Sequence, residues 1–397
     1  MKENTLTQSC HDILFQNMKF CLDQNLYLLY DEDSPLARLL SGAYIDVLNG
    51  VNKEFTNAKI HIRQFKNPPQ PLYRGGLINP ENPHSKEQNR VITSHNITEN
   101  ISTGLDHHKT IEVKAEAVVE VDPQVEAIKN ELTSLPKNSI VILVQSTNFR
   151  LSTFRIRLEL FHRGVHVIEH NHLAYIKESE IHTFAQSLIY RSDEYIRLEQ
   201  EFSKLSKNAN QTKIVSSNGS ILTFGALENI RGNTGDYTGI ENKGGTFPIG
   251  ETFTEAIHLE EVNGKCLIDT YPNEDFSINI CDPFELTIEK GRVLPSSDFP
   301  PAFQKLYNLV VQFEGEVMVR ELGYGLNPAM NKENPLSDIN FYERKVGVHL
   351  SLGKKHGIYG KKLPKSETQR FHIDVFVDLE SVIIGDTEVF RDGKWAI

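Results

Sequence analysis

The first third of the chain alternates between two hydrophobic periods. Over residues 8–22 the apolar side chains Ile13, Leu14, Met18, Cys21 and Leu22 fall at helical spacing, and the short apolar run LYLLY follows at 26–30. Residues 36–50 repeat the helical pattern, and KIHIRQF at 59–65 reads as a strand. The pattern breaks at 66–122, where NPPQPLYRGGLINPENPHSKEQNR holds many turn-forming residues and few large apolar ones; such a composition predicts a long surface excursion. A helix is expected near 123–134, followed by the β-branched run SIVILVQS at 139–146, which suits a parallel strand covered on both faces. A helix at 150–163, the strand GVHVIEH at 164–170 and a helix from 177 to 206 complete further strand and helix units.

After residue 210 the periods shorten. KIVSSN, SILTFG, ETFTEAIHLEEV, GKCLIDTY, FELTIEKGRV, VGVHLSLG, RFHIDVFVD and SVIIGDTEVF read as strands, with turn signals such as Asn263-Gly264 between them; only 301–313 reads as helix. The pattern predicts an α/β layer domain over 1–210 and a strand-rich, mostly antiparallel α+β domain over 211–397. No internal repeat is visible. A chain of 397 residues also suits two domains better than one core.

Composition narrows the classes of partner. A formal charge of −11 argues against a phosphate backbone. Cys10, Cys21, Cys266 and Cys281 form no C-x-x-C pair and are too few to staple the chain, so reduced thiols in a cytoplasmic protein are expected. The start MKENTLTQSCHDILF has no apolar signal core, and no window approaches the roughly 18 apolar residues of a membrane span. The 15 histidines in an acidic chain are raw material for a metal site.

The densest candidate chemistry lies near the end. In RFHIDVFVD alternation aims His372 and Asp374 to one side, with Phe371, Ile373 and Val375 on the other. In VGVHLSLG, His349 stands between Val348 and Leu350, which face the opposite way, and its burial requires a partner. Glu251 in GGTFPIGETFTEA and Glu321 in VMVRELGYGLNP interrupt structured, Gly-rich contexts. Five nitrogen and oxygen donors without a thiolate suit one or two divalent cations such as zinc, cobalt or manganese. Taken singly, each has a plainer reading: an H-x-D couple arises by chance, a strand histidine is usually a hydrogen-bonded core residue, and an isolated glutamate is usually a solvated charge.

Taken together, the four segments resemble the thermophilic-type metallo-aminopeptidases, the group that includes aminopeptidases T and S. Glu251-Thr252-Phe253-Thr254 is similar to the family's ligand glutamate followed by a hydrophobic residue, Phe and Thr. Arg320-Glu321-Leu322-Gly323-Tyr324-Gly325-Leu326-Asn327-Pro328 is similar to its G-E-L-G-x-G-x-N-P stretch, and Val346-Gly347-Val348-His349-Leu350-Ser351-Leu352-Gly353 to its G-x-V-H-I-A-L-G strand. His372 and Asp374 match the terminal H-x-D pair, so all four motifs occur in the family's order. The chain departs from the pattern where the family has a tyrosine seven residues beyond the histidine: His356 stands there, with Tyr359 three residues further on. The glutamate motif follows PIG instead of leucine-proline, the spacing from His349 to His372 is short, and the 66–122 segment has no counterpart.

The resemblance implies a cytoplasmic, homodimeric aminopeptidase acting on peptides or small amino-acid-derived substrates. Its two divalent metals would be held by Glu251, Glu321, His349, His372 and Asp374, with His356 or Tyr359 stabilising the oxyanion. A second implied class is the ring-cleaving dioxygenases of dihydroxypyridines, whose single iron(II) would need only His349, His372 and Asp374. A third is a binding protein that keeps the metal without the reaction.

Other clusters read more plainly. Glu169-His170-Asn171-His172 is a polar strand end, His107-His108 a solvated pair, and Arg150, Arg155, Arg157 and Arg163 a solvated helix face able to meet an anion. The Gly-rich stretch 232–245 does not join a strand to a helix, so it is expected to be a loop leading to Glu251 and not a phosphate cradle.

Overall fold

Alternate residues of the apolar runs bury themselves on opposite faces of one parallel sheet. The structure, a computed structural model, describes residues 3–21, 23–54, 59–65, 123–147, 156–273, 277–353 and 371–397. Strands β1 (Leu26–Tyr30), β2 (Ile60–Gln64), β3 (Ile140–Val144) and β4 (His166–His170) pair in parallel in the order β2-β1-β3-β4. Leu26, Leu28, Ile140, Ile142 and Val144 pack against the helix Pro35–Glu54 through Leu36, Leu40 and Tyr44. On the opposite face Tyr27, Leu29, Val141 and Leu143 meet Ile128 and Leu132 of the helix Pro123–Thr133 and Leu160 of the helix Ile156–His162. A strand apolar on both faces needs such cover, which is why the run at 139–146 lacks alternation.

The second sheet is antiparallel and much larger. Its earlier strands are β5 (Thr212–Ser216), β6 (Ile221–Phe224), β7 (Arg231–Asn233), β9 (Glu251–Thr254), β10 (Asn263–Pro272), β11 (Ile278–Glu289) and β12 (Arg292–Val293). Its later strands are β13 (Val319–Gly325), β14 (Gly347–Leu352), β15 (Ile373–Val377), β16 (Leu379–Ile384), β17 (Thr387–Arg391) and β18 (Lys394–Trp395). They run in the order β18-β17-β16-β5-β6-β10-β15-β14-β13-β9-β7, with β11 and β12 branching from β10. The remaining strand, β8 (Gly244–Thr246), comes from the strand-rich half of the sequence yet adds to the parallel sheet beside β4. One hydrophobic core runs through both sheets, from Leu28 and Ile142 to Leu322, Leu350 and Val375.

Two helices differ from expectation for tertiary reasons. The segment expected as one helix over 177–206 is a short 3-10 turn, a helix Ile181–Ser187 and a separate helix Ser192–Asn208. At the break Asn327 donates to the orphaned Ser187 carbonyl at 2.8 Å, and Asn17 donates to the side-chain hydroxyl of Ser192 at 2.6 Å. The first helix runs Glu3–Asp12 and continues into a π turn, Ile13–Asn17, that redirects its apolar face. In the segment ETFTEAIHLEEV only Glu251–Thr254 is strand. The 66–122 excursion lies outside the described residues. All four cysteines are free, and burial pushes the Cys266 thiol up to about 12. Among the described residues no helix is long and apolar enough to cross a membrane.

Gly244 couples the two sheets. Its φ is +104°, and an added Cβ would lie 1.9 Å from the Val167 carbonyl oxygen on the strand it pairs with. A Gly244→Ala substitution is therefore expected to cost about 3 kcal/mol or more of unfolding free energy, read by chemical denaturation. A loss below about 1 kcal/mol would show that the β4 to β8 pairing relaxes at little cost.

Candidate metal centre

Four adjacent strands, β15, β14, β13 and β9, bring the candidate donors together. The register pairs Gly323 of β13 with His349 of β14, and Ser351 of β14 with Asp374 of β15. Leu322, Tyr324, Val348, Leu350, Ile373 and Val375 turn the other way into the core, so period-two alternation leaves Glu321, His349 and Asp374 together on the polar face. Glu251 opens β9, and the same register sets it beside Gly325 of β13. Both Glu251 and Glu321 are buried, which excludes the reading of either as a solvated surface charge.

His349 Nε2 lies 3.3 Å from Glu251 Oε1 and 3.7 Å from Glu321 Oε1. His372 Nε2 lies 3.2 Å from Asp374 Oδ1. Two donor groups result among the described residues: Glu251, Glu321 and His349 form one, and Glu321, His372 and Asp374 form the other, each with its ligand atoms within 4.8 Å of one another. All five residues named from the sequence thus converge, and Glu321 belongs to both groups. His356 and Tyr359 lie outside the described residues.

The donor set fits a cation on two counts. His349 Nε2 is buried and makes no aligned hydrogen bond, although two carboxylates face it. Burial alone would pull this imidazole below its ordinary value, but Glu251 and Glu321 override that and push it up to about 10. For Asp374 burial acts upward, yet His372, His349 and the Ser351 hydroxyl hold the carboxyl well below its ordinary value. The site therefore favours positive charge among its carboxylates, which is the condition for holding a metal ion.

Three neighbours escaped the sequence reading. Ser351 Oγ is 2.5 Å from Asp374 Oδ1, 3.2 Å from His372 Nε2 and 3.3 Å from Glu321 Oε1, joining all members of the second group. Alternation could have found it, since it stands two residues beyond His349 on the same face. Gly323 leaves the space that the His349 ring fills: a Cβ there would lie 2.0 Å from Nε2. Arg344 is buried with Nη2 3.7 Å from Glu251 Oε2. Burial lowers its guanidinium from the ordinary value, with Arg157 acting in the same direction and Glu251, Asp374 and Asp338 opposing.

Several of the remaining candidates have local partners, although His170 Nδ1 and Asn171 Oδ1 are buried without a hydrogen bond. Arg157 pairs with Glu169 at 2.7 Å and donates to Thr246 at 2.6 Å, so it is not a solvated helix charge. His172 lies 3.2 Å from Asp338, and Arg163 lies 3.7 Å from Glu159. Residues 231–233 and 244–246 of the Gly-rich region are short strands, and Asn233 pairs with Glu251, so this region does lead to the centre. Arg150, Arg155, His107 and His108 lie outside the described residues. His170 is a core histidine: Nε2 is 2.8 Å from the Tyr44 hydroxyl, and Phe184 and Phe247 pack around the ring.

No known family model matches the chain, and no curated protein matches it by sequence. Solved structures do match it. The 2,5-dihydroxypyridine dioxygenase of Pseudomonas putida KT2440 is similar with a TM-score of 0.57 at 13% identity, covering 100% of this chain and 98% of that one. Wild-type AmpT from Thermus thermophilus is similar with a TM-score of 0.56 at 10% identity, covering 100% of both. At such identities the likeness establishes a shared fold along the whole chain, and the chemistry has to be argued from the site.

Gly323→Ala is expected to displace the His349 ring and to weaken metal uptake about 10–100-fold, measured by competition with a chelator. Unchanged affinity would separate His349 from the metal centre. Burial lowers the His170 value to about 3 from 6.5. Its contribution to stability is therefore intact above about pH 6.5 and drains as the pH falls towards 3. Denaturation curves should lose up to about 1.4 kcal/mol per pH unit across that window, and His170→Gln should remove this part of the slope.

Proposed function

We propose that the protein is a metal-dependent aminopeptidase that hydrolyses the amino-terminal residue from peptides at a two-cation centre. The sharing of Glu321 between two donor groups carries this reading, because a carboxylate has two oxygens and can serve two cations at once. Glu251 and His349 complete one set of ligands, and His372 and Asp374 the other. Bound there, two cations would supply Lewis-acid polarisation of a carbonyl and a water of lowered pKa. The chain's own residues do the rest. Glu251, Glu321 and Asp374 balance the cationic charge, Ser351 fixes the Asp374 carboxylate at 2.5 Å, and Gly323 allows the His349 ring to reach its position. Burial of the face limits competing water and strengthens each of these interactions.

The dioxygenase reading shares the same fold, and the likeness to a solved dioxygenase supports it to that extent. Its triad of His349, His372 and Asp374 does not form one of the compact groups: the two histidines fall in different ones. The aminopeptidase reading uses all five donors and is preferred.

Elemental analysis of the metal-loaded protein is expected to find about two divalent ions per chain, with release of the first residue from unsubstituted peptides and none from N-acetylated ones. Glu321→Gln should lower the metal content and reduce turnover by at least about 100-fold while far-ultraviolet circular dichroism stays unchanged. One iron per chain with oxygen consumption would establish the dioxygenase instead. Full activity of a metal-repleted Glu321→Gln protein would end the two-cation model.

A further inference from the structure

Arg344 stands on the metal-bearing face for a backbone reason. An added Cβ on Gly325 would lie 1.8 Å from the Lys345 carbonyl oxygen and 2.9 Å from the Arg344 carbonyl carbon, so the 344–345 segment lies directly over this glycine. Gly325 in turn pairs with Glu251 in the sheet. The Arg344 carbonyl accepts from the Asn327 amide at 2.8 Å, which fixes the segment. The guanidinium is then used unevenly. Nη1 donates to the Asn340 carbonyl and pairs with Glu343, while Nε is buried with no hydrogen-bond partner and Nη2 stops 3.7 Å short of Glu251. The Nε and Nη2 edge of an arginine is a two-donor fork whose spacing matches the two oxygens of a carboxylate.

Charge points the same way. Three carboxylates among the five donors would balance three of the four positive charges on two divalent cations, and a hydroxide from the water they activate the fourth, so none of the three is left over for Arg344. Glu343 pairs with Nη1 of Arg344, while Glu251 is the carboxylate beside the opposite edge, and a Glu251 committed to a cation leaves that edge without one. Lys345 is buried beside it, seated over the rings of Tyr342 and Phe376 at 5.4 and 5.6 Å, and Phe376 packs on His349. A substrate carboxylate would give the Nε and Nη2 donors the partners they lack, which a neutral amide in the same place supplies only in part.

We infer that the open edge of Arg344 recognises a carboxylate on the substrate, within one or two residues of the bond that is cut. The inference rests on the aminopeptidase reading and names its substrate class: peptides with an acidic first residue, or dipeptides whose free carboxyl terminus reaches the fork. Arg344 is a specificity residue in this assignment and takes no part in bond cleavage.

Two matched pairs of substrates separate the sources of the carboxylate. Leucyl-leucine against leucyl-leucinamide tests the carboxyl terminus, and glutamyl-leucinamide against glutaminyl-leucinamide tests the side chain. For the metal-loaded full-length protein, kcat/KM is expected to favour the acid of one pair by about tenfold or more, and that acid should raise the melting temperature more than its amide. In Arg344→Gln the preference should fall to about twofold or less, with metal content at the wild-type value; Arg344→Lys, which keeps the charge without the fork, should hold an intermediate preference. The melting-shift comparison needs no turnover, so an acid preference there upholds the inference even if no peptide is cleaved and the aminopeptidase reading fails. Absence of any acid preference in the wild type would overturn it. A preference that survives in Arg344→Gln would do the same, and accompanying loss of metal would mark Arg344 as a positioning residue for Glu251.

Discussion

The repulsion among three carboxylates gathered on one buried face is the constraint around which this molecule is arranged. Glu251, Glu321 and Asp374 are withdrawn from water, where each would otherwise be solvated, and like charges at this separation are tolerated only if positive charge stands among them. His349 stands among them, and Glu251 and Glu321 raise its imidazole above the ordinary value against the effect of burial. A divalent cation supplies more charge at shorter range, and ligand atoms within 4.8 Å of one another are spaced to receive it. The same electrostatic requirement explains why arginine and lysine side chains are also buried nearby.

Rigid backbone converts that requirement into geometry. Strands β13, β14 and β15 present Glu321, His349, Ser351 and Asp374 side by side, because neighbouring strands are about 4.8 Å apart and alternate side chains share a face. Gly323 and Gly325 are the positions on that face where a side chain would collide, one with the His349 ring and the other with the segment carrying Arg344. The core beneath, through Leu322, Leu350 and Val375, keeps the strands in register and thereby keeps the donors at fixed separations.

The parallel sheet contributes from its own edge. Glu169 at the end of β4 holds Arg157, which also binds Thr246 of β8, and the chain passes from β8 to Glu251 within five residues. In open sheets of this kind the carboxyl ends of the strands are where ligands are met. Here Arg157, held at that edge, is near enough to Arg344 to act on its guanidinium.

Much of this was legible in the residues alone. The two periods separated a helix and strand layer from a strand-rich half, the apolar run at 139–146 announced a strand covered on both faces, and alternation in RFHIDVFVD placed His372 with Asp374. The family-like motifs named the five residues that the fold brings into two groups able to hold a cation. Local pattern could not show the break at 188–191, because Asn327 satisfies the end of one helix and Asn17 holds the first side chain of the next. Nor could it show that Gly244 joins the parallel sheet, that Glu321 is shared by both donor groups, or that Arg344 keeps an open edge beside Glu251. Each of these is a relation between residues far apart in the chain. A sequence determines which side chains are available and which face of a strand or helix they occupy; only the packing of strands and segments in three dimensions decides which charges meet.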